Sequence, residues 1–257
     1  QVKPVVNLQK KAKLRKEEKQ FVVEGVKMVS EAPADRLVKV YVSETFKADN
    51  EEFLERMNYD SIGKDVLEIV TDNVFMRMAD TQTPQGIMAV VRMSDTDLEG
   101  ILSDKRNPLL LIIENLQDPG NLGTIVRMAE GAGVTGIIMS SNTVDIYNPK
   151  TIRSTMGSLY RVPVIYVDDI CEAADVCKSK GVTVYAAHLN GTDNYNKKDY
   201  TNPTAFMIGN EGNGLTDKLA DKADEYVRIP MQGEVESLNA AIACTILTYE
   251  AVRQRSV

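Results

Sequence analysis

The chain has 257 residues, 43% of them hydrophobic and 26% charged, with a formal net charge of −7, which fits one large or two ordinary globular domains and excludes a disordered or fibrous chain. No apolar run approaches the ~18 residues of a membrane-spanning helix, and no signal peptide is visible. One histidine, His188, and three cysteines (Cys171, Cys177 and Cys244) without C-x-x-C spacing exclude a metal centre of the His/Cys type and a disulfide framework, and imply reduced thiols and a cytoplasmic location. The chain opens on Gln1, which leaves room for a short native start ahead of it.

Charge is uneven along the chain. Residues 1–19 carry seven Lys or Arg against two Glu, a local +5, which leaves −12 on the remainder. Lys11, Lys13 and Arg15 therefore read either as contacts to nucleic-acid phosphates or as one face of a solvated helix. Residues 9–31 are expected to be a charged helix, followed by a strand at 36–43, a helix at 49–57, a strand at 65–70, a short helix at 71–78 and a strand at 86–93. These elements make a small α/β domain over residues 1–93, and the polar stretch 94–108 reads as a linker with room for one helical turn.

Residues 109–257 form the second domain. LLLIIEN (109–115) is a continuous apolar run, as expected of a strand buried on both faces. Further strands are expected at 136–139, 163–167, 182–187, 204–209 and 226–230, with helices between most of them. The alternation predicts an open, mainly parallel sheet covered by helices. His188 falls at a strand end.

Two glycine patterns imitate nucleotide-binding motifs. GAGVTG (131–136) follows a helical run and opens a strand, the reverse of the order in which a dinucleotide fingerprint meets a helix N-terminus, so these glycines end a helix and turn the chain. GNEGNGLT (209–216) has Leu215 where a phosphate loop needs lysine, and Glu211 where phosphates would lie.

Three segments carry chemistry. In ENLQDPGNLGTIVRMA (114–129), a turn at Asp118–Asn121 precedes a helix whose Leu122, Ile125, Val126 and Ala129 face the core. Arg127 lies four residues after Gly123, which offers no side chain to block its approach to the helix start; it reads as a phosphate ligand or as an ordinary exposed arginine. FMIGNEGNGLTDKL (206–219) has three glycines in six residues, implying backbone close to a ligand or another loop. In IPMQGEVESLNAAIACTILTYEAVRQR (229–255), Ser237 is the expected cap of a long helix that is apolar nearly all round. Leu238, Ala241, Ile242, Thr245, Ile246 and Tyr249 share one of its faces.

In this order and spacing, N-L-G-T-I-V-R (121–127), I-G-N-E-G-N-G-L (208–215) and I-P-M-Q-G-E-V-E-S-L-N (229–239) resemble the three motifs of the SpoU/TrmH branch of the SPOUT RNA methyltransferases. N-P-K-T-I-R-S-T-M-G-S-L (148–159) is similar to a segment between the first two motifs, and residues 7–93, with F-V-V-E-G at 21–25, resemble the family's substrate-binding domain of ribosomal-protein L30e type.

The resemblance implies an α/β sheet with a C-terminal trefoil knot, a homodimer, and S-adenosylmethionine held largely by backbone groups near Ile208, Gly209, Ile229, Met231, Leu238 and Asn239. It implies methyl transfer to a ribose 2′-hydroxyl of RNA, with Arg127, Asn121, Glu211, Ser237 and Asn239 as the catalytic set. A guanidinium rarely gives up its proton, so Arg127 is expected to orient phosphate and ribose, with proton loss late or to water. Lys150 and Arg153, which follow Asn148 at helical spacing, are expected to grip RNA phosphates alongside Lys11, Lys13 and Arg15. The additional N-terminal domain favours 23S ribosomal RNA over tRNA; a non-catalytic RNA-binding relative and a base methyltransferase are the other readings.

Overall fold

The computed structural model describes residues 2–59, 63, 65–103, 107–188, 191 and 193–256. The chain divides into two units, Gln1–Ser94 with Asp145–Tyr160, and Asp95–Val144 with Arg161–Val257.

The first unit runs α1 (Val2–Lys10), α2 (Ala12–Glu18), β1 (Gln20–Glu24), α3 (Val26–Ser30), β2 (Leu37–Ser43), α4 (Glu44–Asp49), α5 (Glu51–Met57), β3 (Leu67–Val70), α6 (Asp72–Met78) and β4 (Ile87–Arg92). Its sheet has the order β1-β4-β2-β3, with β4 antiparallel to both neighbours and β3 parallel to β2. The single helix expected over 9–31 is instead two helices, a strand and a short helix. Lys19 at φ 50° ends α2, and Gly25 at φ 97° turns the chain into α3. Between them Phe21, Val22 and Val23 pair with β4, where an aromatic and two β-branched side chains suit a pleated, buried surface better than a helix.

The second unit runs α7 (Leu98–Leu102), β5 (Leu109–Ile113), α8 (Pro119–Gly131), β6 (Gly136–Ser140), β7 (Val164–Val167), α10 (Ile170–Ser179), β8 (Thr183–Ala187), β9 (Asp193–Asn194), β10 (Thr204–Ile208), α11 (Asp217–Ala220), β11 (Glu225–Arg228) and α12 (Ala240–Arg255). All seven strands are parallel, in the order β7-β6-β5-β10-β8-β11-β9. Every residue of β5, β6 and β10 is buried, as their unbroken apolar runs require. From β5 the chain moves to β6 and β7 on one side, whereas β10, β8, β11 and β9 lie on the other. The boundary between β5 and β10 is thus the topological switch point, and the crevice beyond the carboxyl ends of these strands is where an open α/β sheet takes its ligands.

Within 94–108, α7 is capped by Asp97 and buries Ile101, for which Gly136 makes room by lacking a Cβ; residues 104–106 lie outside the described residues. The GAGVTG glycines behave as the chain order implied: α8 ends at Gly131, Gly133 turns at φ 70° and β6 opens at Gly136. Leu122, Ile125, Val126 and Ala129 are fully buried. On α12 the buried side is Ala240, Ala241, Cys244, Leu247, Thr248 and Ala251, whereas Ile242 and Tyr249 are 53% and 45% exposed. All three cysteines are free and buried, and burial pushes the thiols of Cys177 and Cys244 up to about 11 and about 12, so they act as small core groups. No described helix is long and apolar enough to cross a membrane.

The remaining helix, α9 (Pro149–Thr155), belongs to the first unit. Asn148 caps it through Lys150 N. The segment around it is fastened by the Tyr160 hydroxyl donating to Met28 O and by Tyr147 stacked 4.6 Å from Phe21.

Candidate active site

The first wall of the switch-point crevice is the turn after β5. Asn115 is left-handed at φ 54°; its N–H donates to Ser140 Oγ, which in turn donates to Asn115 Oδ1. Asp118 caps α8 by accepting from Asn121 N at 2.8 Å, with Pro119 at the first helical position.

The second wall is the glycine loop after β10. A Cβ on Gly209 would overlap the backbone of Gly214 and Leu215, so the close backbone approach expected here is made to the loop itself. Asn210 and Gly214 exchange both backbone hydrogen bonds at 2.9 Å, and Gly214 has φ 68°. Inside the turn, Asn210 Oδ1 accepts from Gly212 N and Asn213 N. Beyond it, the buried Glu114 accepts from both the N–H and the hydroxyl of Thr216 at 2.7 Å, which ties the loop to the end of β5.

A chain of hydrogen bonds joins the three sequence motifs. Glu211 accepts from Gln117 N at 3.0 Å, Asp118 N at 2.8 Å and Asn121 Nδ2 at 3.1 Å. Since a carboxylate only accepts, Asn121 must direct its Oδ1 the other way, and there it accepts from Asn239 Nδ2 at 2.9 Å. Asn239 Oδ1 then caps α12 through Ala241 N and Ile242 N. Burial pushes the Glu211 carboxyl up, but the N–H groups of Asp118 and Gln117 and the Asn121 amide together outweigh it and hold it below the ordinary glutamate value. Glu211 is thus a fixed anion whose lone pairs are engaged. Asn239, not Ser237, caps the final helix: α12 starts at Ala240, and Ser237 lies exposed two residues ahead of the cap position.

A cavity of about 430 Å³ opens at the carboxyl ends of β10, β8 and β11. Ile208, Gly209, Ile229, Met231 and Leu238 line it, with Glu211 and Ser237 at its polar side; Asn239 does not. Its size is that of a small-molecule site. The lining combines apolar side chains and glycine-loop backbone with the charged Glu211, Arg228 and Glu236, which fits S-adenosylmethionine: its fused ring needs close apolar contact, and its sulfonium and amino-acid end carry charge. Sequence reasoning missed Ala187, Ala240, Ala243, Arg228, Glu236 and His188 as lining residues. The first three carry no chemical signal. His188 follows β8 directly, half-buried with its ring 5.2 Å from that of Tyr226, and its position beyond a parallel strand was the available clue.

Arg127 is exposed on α8 and forms no hydrogen bond or ion pair among the described residues, so it does not join the Glu211–Asn121–Asn239 chain. Gly123 is buried, and the face expected to carry both residues is split between packing and solvent. Of the expected phosphate ligands, Lys11, Lys13 and Lys150 are exposed, and Arg153 donates to Asp80 at 2.7 Å. Arg15 is a correction. It is 3% exposed, bonded to Asp145 at 2.6 and 2.9 Å and to the carbonyls of Leu8 and Gln9, which leaves its guanidinium unavailable to RNA. The basic N-terminal pattern concealed a buried ion pair that fastens the segment before α9.

Residues 108–249 match the family described as SpoU rRNA Methylase, and residues 1–89 match the MRM3-like substrate binding domain. The chain belongs to the SpoU rRNA methylase family. Among SpoU relatives, the 23S rRNA (guanosine(2553)-2′-O)-methyltransferase RlmP of Bacillus subtilis is 35% identical over 187 residues, 70% of each chain. The 23S rRNA (uridine(2479)-2′-O)-methyltransferase of Streptomyces viridochromogenes is 37% identical over 68% of this chain and 62% of its own. The crystal structure of the SpoU methyltransferase AviRb from Streptomyces viridochromogenes in complex with AdoMet superposes with a TM-score of 0.85 at 28% identity, covering 99% of this chain and 98% of that one.

Proposed function

We propose that this protein transfers a methyl group from S-adenosylmethionine to a ribose 2′-hydroxyl of RNA, with 23S ribosomal RNA as substrate. The observation that carries the reading is the union of the three SpoU motifs at the switch point: Glu211, Asn121 and Asn239 in one hydrogen-bonded chain beside a cavity of cofactor size. Two relatives that methylate 23S rRNA riboses support the substrate.

When bound, the cofactor supplies the electrophilic methyl group. The protein's own part is position and charge. The cavity walls at Ile208, Ile229 and Leu238 exclude water from the cofactor. Glu211 stays ionised with its lone pairs occupied, so it braces Asn121 and the turn at Gln117–Asp118 rather than taking the 2′-hydroxyl proton, which leaves to water. Arg127 is the unengaged cation of the motifs and orients substrate phosphate and ribose. Ser237, exposed at the cavity, contacts substrate or cofactor. Lys150, Lys11 and Lys13 hold RNA phosphates, and Arg153 does so by exchanging Asp80 for phosphate.

Residues 1–93 are the substrate-binding domain and 109–257 the methyltransferase domain of this reading, in which the C-terminal path forms the family's trefoil knot. A second copy of the chain covers the outward apolar stripe of α12 at Ile242 and Tyr249, giving a homodimer. The RNA substrate, with unpaired cysteines, supports a cytoplasmic location.

The test is transfer of radiolabelled methyl to total RNA from a strain lacking the protein. One nuclease-resistant linkage in 23S rRNA is expected. Arg127→Ala is expected to lower the rate on the order of 100- to 1000-fold with cofactor affinity unchanged. Label in a base, or full activity in the variant, rejects the reading.

A further inference from the structure

On the side of the glycine loop that carries Asn115 and Gln117 lies a second cleft of about 480 Å³, lined by Asn115, Gln117, Asn210, Asn213, Thr216 and Asp217 over a floor that includes Leu215. It shares Asn210, Asn213, Gly214 and Leu215 with the cofactor cavity, and Gln117 N donates to Glu211, so the cleft begins where the reaction centre ends.

Most polar groups in the cleft are engaged. Asn210 donates to Asn115 O and accepts from Gly212 N and Asn213 N; Thr216 is held by Glu114. Gln117 Nε2 donates to Asn115 O at 3.0 Å and Asn142 O at 2.9 Å, which uses both its hydrogens and leaves Oε1 as a free acceptor. The side chains of Asn213 and Asp217 form no hydrogen bond or ion pair among the described residues. The open inventory is therefore Gln117 Oε1, the two Asp217 oxygens and Asn213 Oδ1 as acceptors, against the Nδ2 amines of Asn213 and Asn115 as donors. A negative, acceptor-rich cleft repels phosphate and asks for a ligand edge rich in N–H groups.

We propose that this cleft holds a guanine base of the RNA substrate. Guanine alone among the four bases presents three N–H hydrogens, from N1 and the N2 amine, next to a single acceptor, O6. The carboxylate of Asp217 takes the N1 and N2 hydrogens as a bidentate pair, Gln117 Oε1 takes the remaining N2 hydrogen, and Asn213 Nδ2 serves O6. Uracil has one N–H between two acceptors, and adenine and cytosine each pair one amine with adjacent acceptors. The inference rests on the RNA methyltransferase reading and names a specificity element within it.

The experiment measures fluorescence anisotropy of the full chain, saturated with S-adenosylhomocysteine, against labelled uridine heptamers carrying a central G, inosine, A, C or U. The G oligomer should bind about tenfold tighter than the inosine oligomer, which lacks the N2 amine, and Asp217→Asn should bring that ratio close to one. Equal affinity for all five oligomers, a preference for A or C, no binding of any, or an undiminished ratio in Asp217→Asn would overturn the proposal. Cofactor titration and methyl incorporation into total RNA test the parent reading separately. If they succeed while the G preference is absent, the base cleft alone is rejected; if they fail while the preference follows Asp217, the cleft stands and the methyl-transfer reading falls.

Discussion

Residues 209–216 and 230–238 face one cavity from the carboxyl ends of β10 and β11, yet only the first is braced. The glycine loop closes on itself through Asn210 and Gly214, is held to β5 through Glu114 and Thr216, and reaches the turn before α8 through Glu211. Residues 230–238 form no hydrogen bond with other described residues until Asn239 caps α12, and 232–237 are exposed. One wall is fixed by its own hydrogen bonds, and the other is not. A fixed wall defines where the reacting groups lie, and an unbraced one leaves a way in.

The severest way to break this contrast is Gly209→Ala. The added methyl overlaps backbone rather than a flexible side chain, so the closed turn must open. Loss of measurable cofactor binding by calorimetric titration is expected, with destabilisation of about 3 kcal/mol or more in thermal melts. Wild-type binding in this variant would show that the loop's closure is dispensable.

Glu211→Gln tests the brace more gently. The variant keeps the shape but loses the charge and turns one accepting oxygen into an amine that faces an N–H donor; with the side chain exposed the expected cost is about 1 kcal/mol, with methyl transfer down about tenfold. Because the folded-state pKa of Glu211 is lowered, its contribution to stability is complete above the unfolded value of about 4.3 and is lost as pH falls through the lower folded value. The wild type should therefore lose its advantage over Glu211→Gln in acid melts, and a pH-independent difference would refute the anionic brace.

Saturating S-adenosylmethionine should slow amide exchange in 230–238 about fivefold or more while changing 209–216 little. Equal protection of both segments would mean that both are ordered by the ligand.

The same contrast governs what could be read from the sequence. The glycine loop announces a close approach by its composition, and the absence of lysine eliminates the phosphate reading, although that the loop approaches itself is a property of the folded turn. The parallel sheet was legible because LLLIIEN and TAFMIG are unbroken apolar runs. Residues 230–238 have no such grammar: they form no hydrogen bond with other described residues, and only the resemblance singled them out. Ser237 and Asn239 are both good caps by residue type, and which one serves depends on where α12 begins. Arg15 failed for a different reason. A basic run looks solvated, and only tertiary contact with Asp145, 130 residues away, reveals a buried guanidinium. β1 was concealed similarly, since Phe21–Val23 needs β4 beside it to become a strand.

Arg255 gives the last helix a second anchor. Its guanidinium, whose pKa burial lowers, donates to the carbonyls of Asn107, Pro108, Tyr200 and Asn202, just ahead of β5 and β10. Asn239, at the other end of α12, is bonded to Asn121, which follows the carboxyl end of β5. A 16-residue helix of about 24 Å thus acts as a tie-rod along the central strands, held at their carboxyl ends by one amide and at their amino ends by one arginine. Any trimming that removes Arg255 slackens the rod at its far end, and the alignment of Asn121 then depends on a residue at the amino ends of the strands.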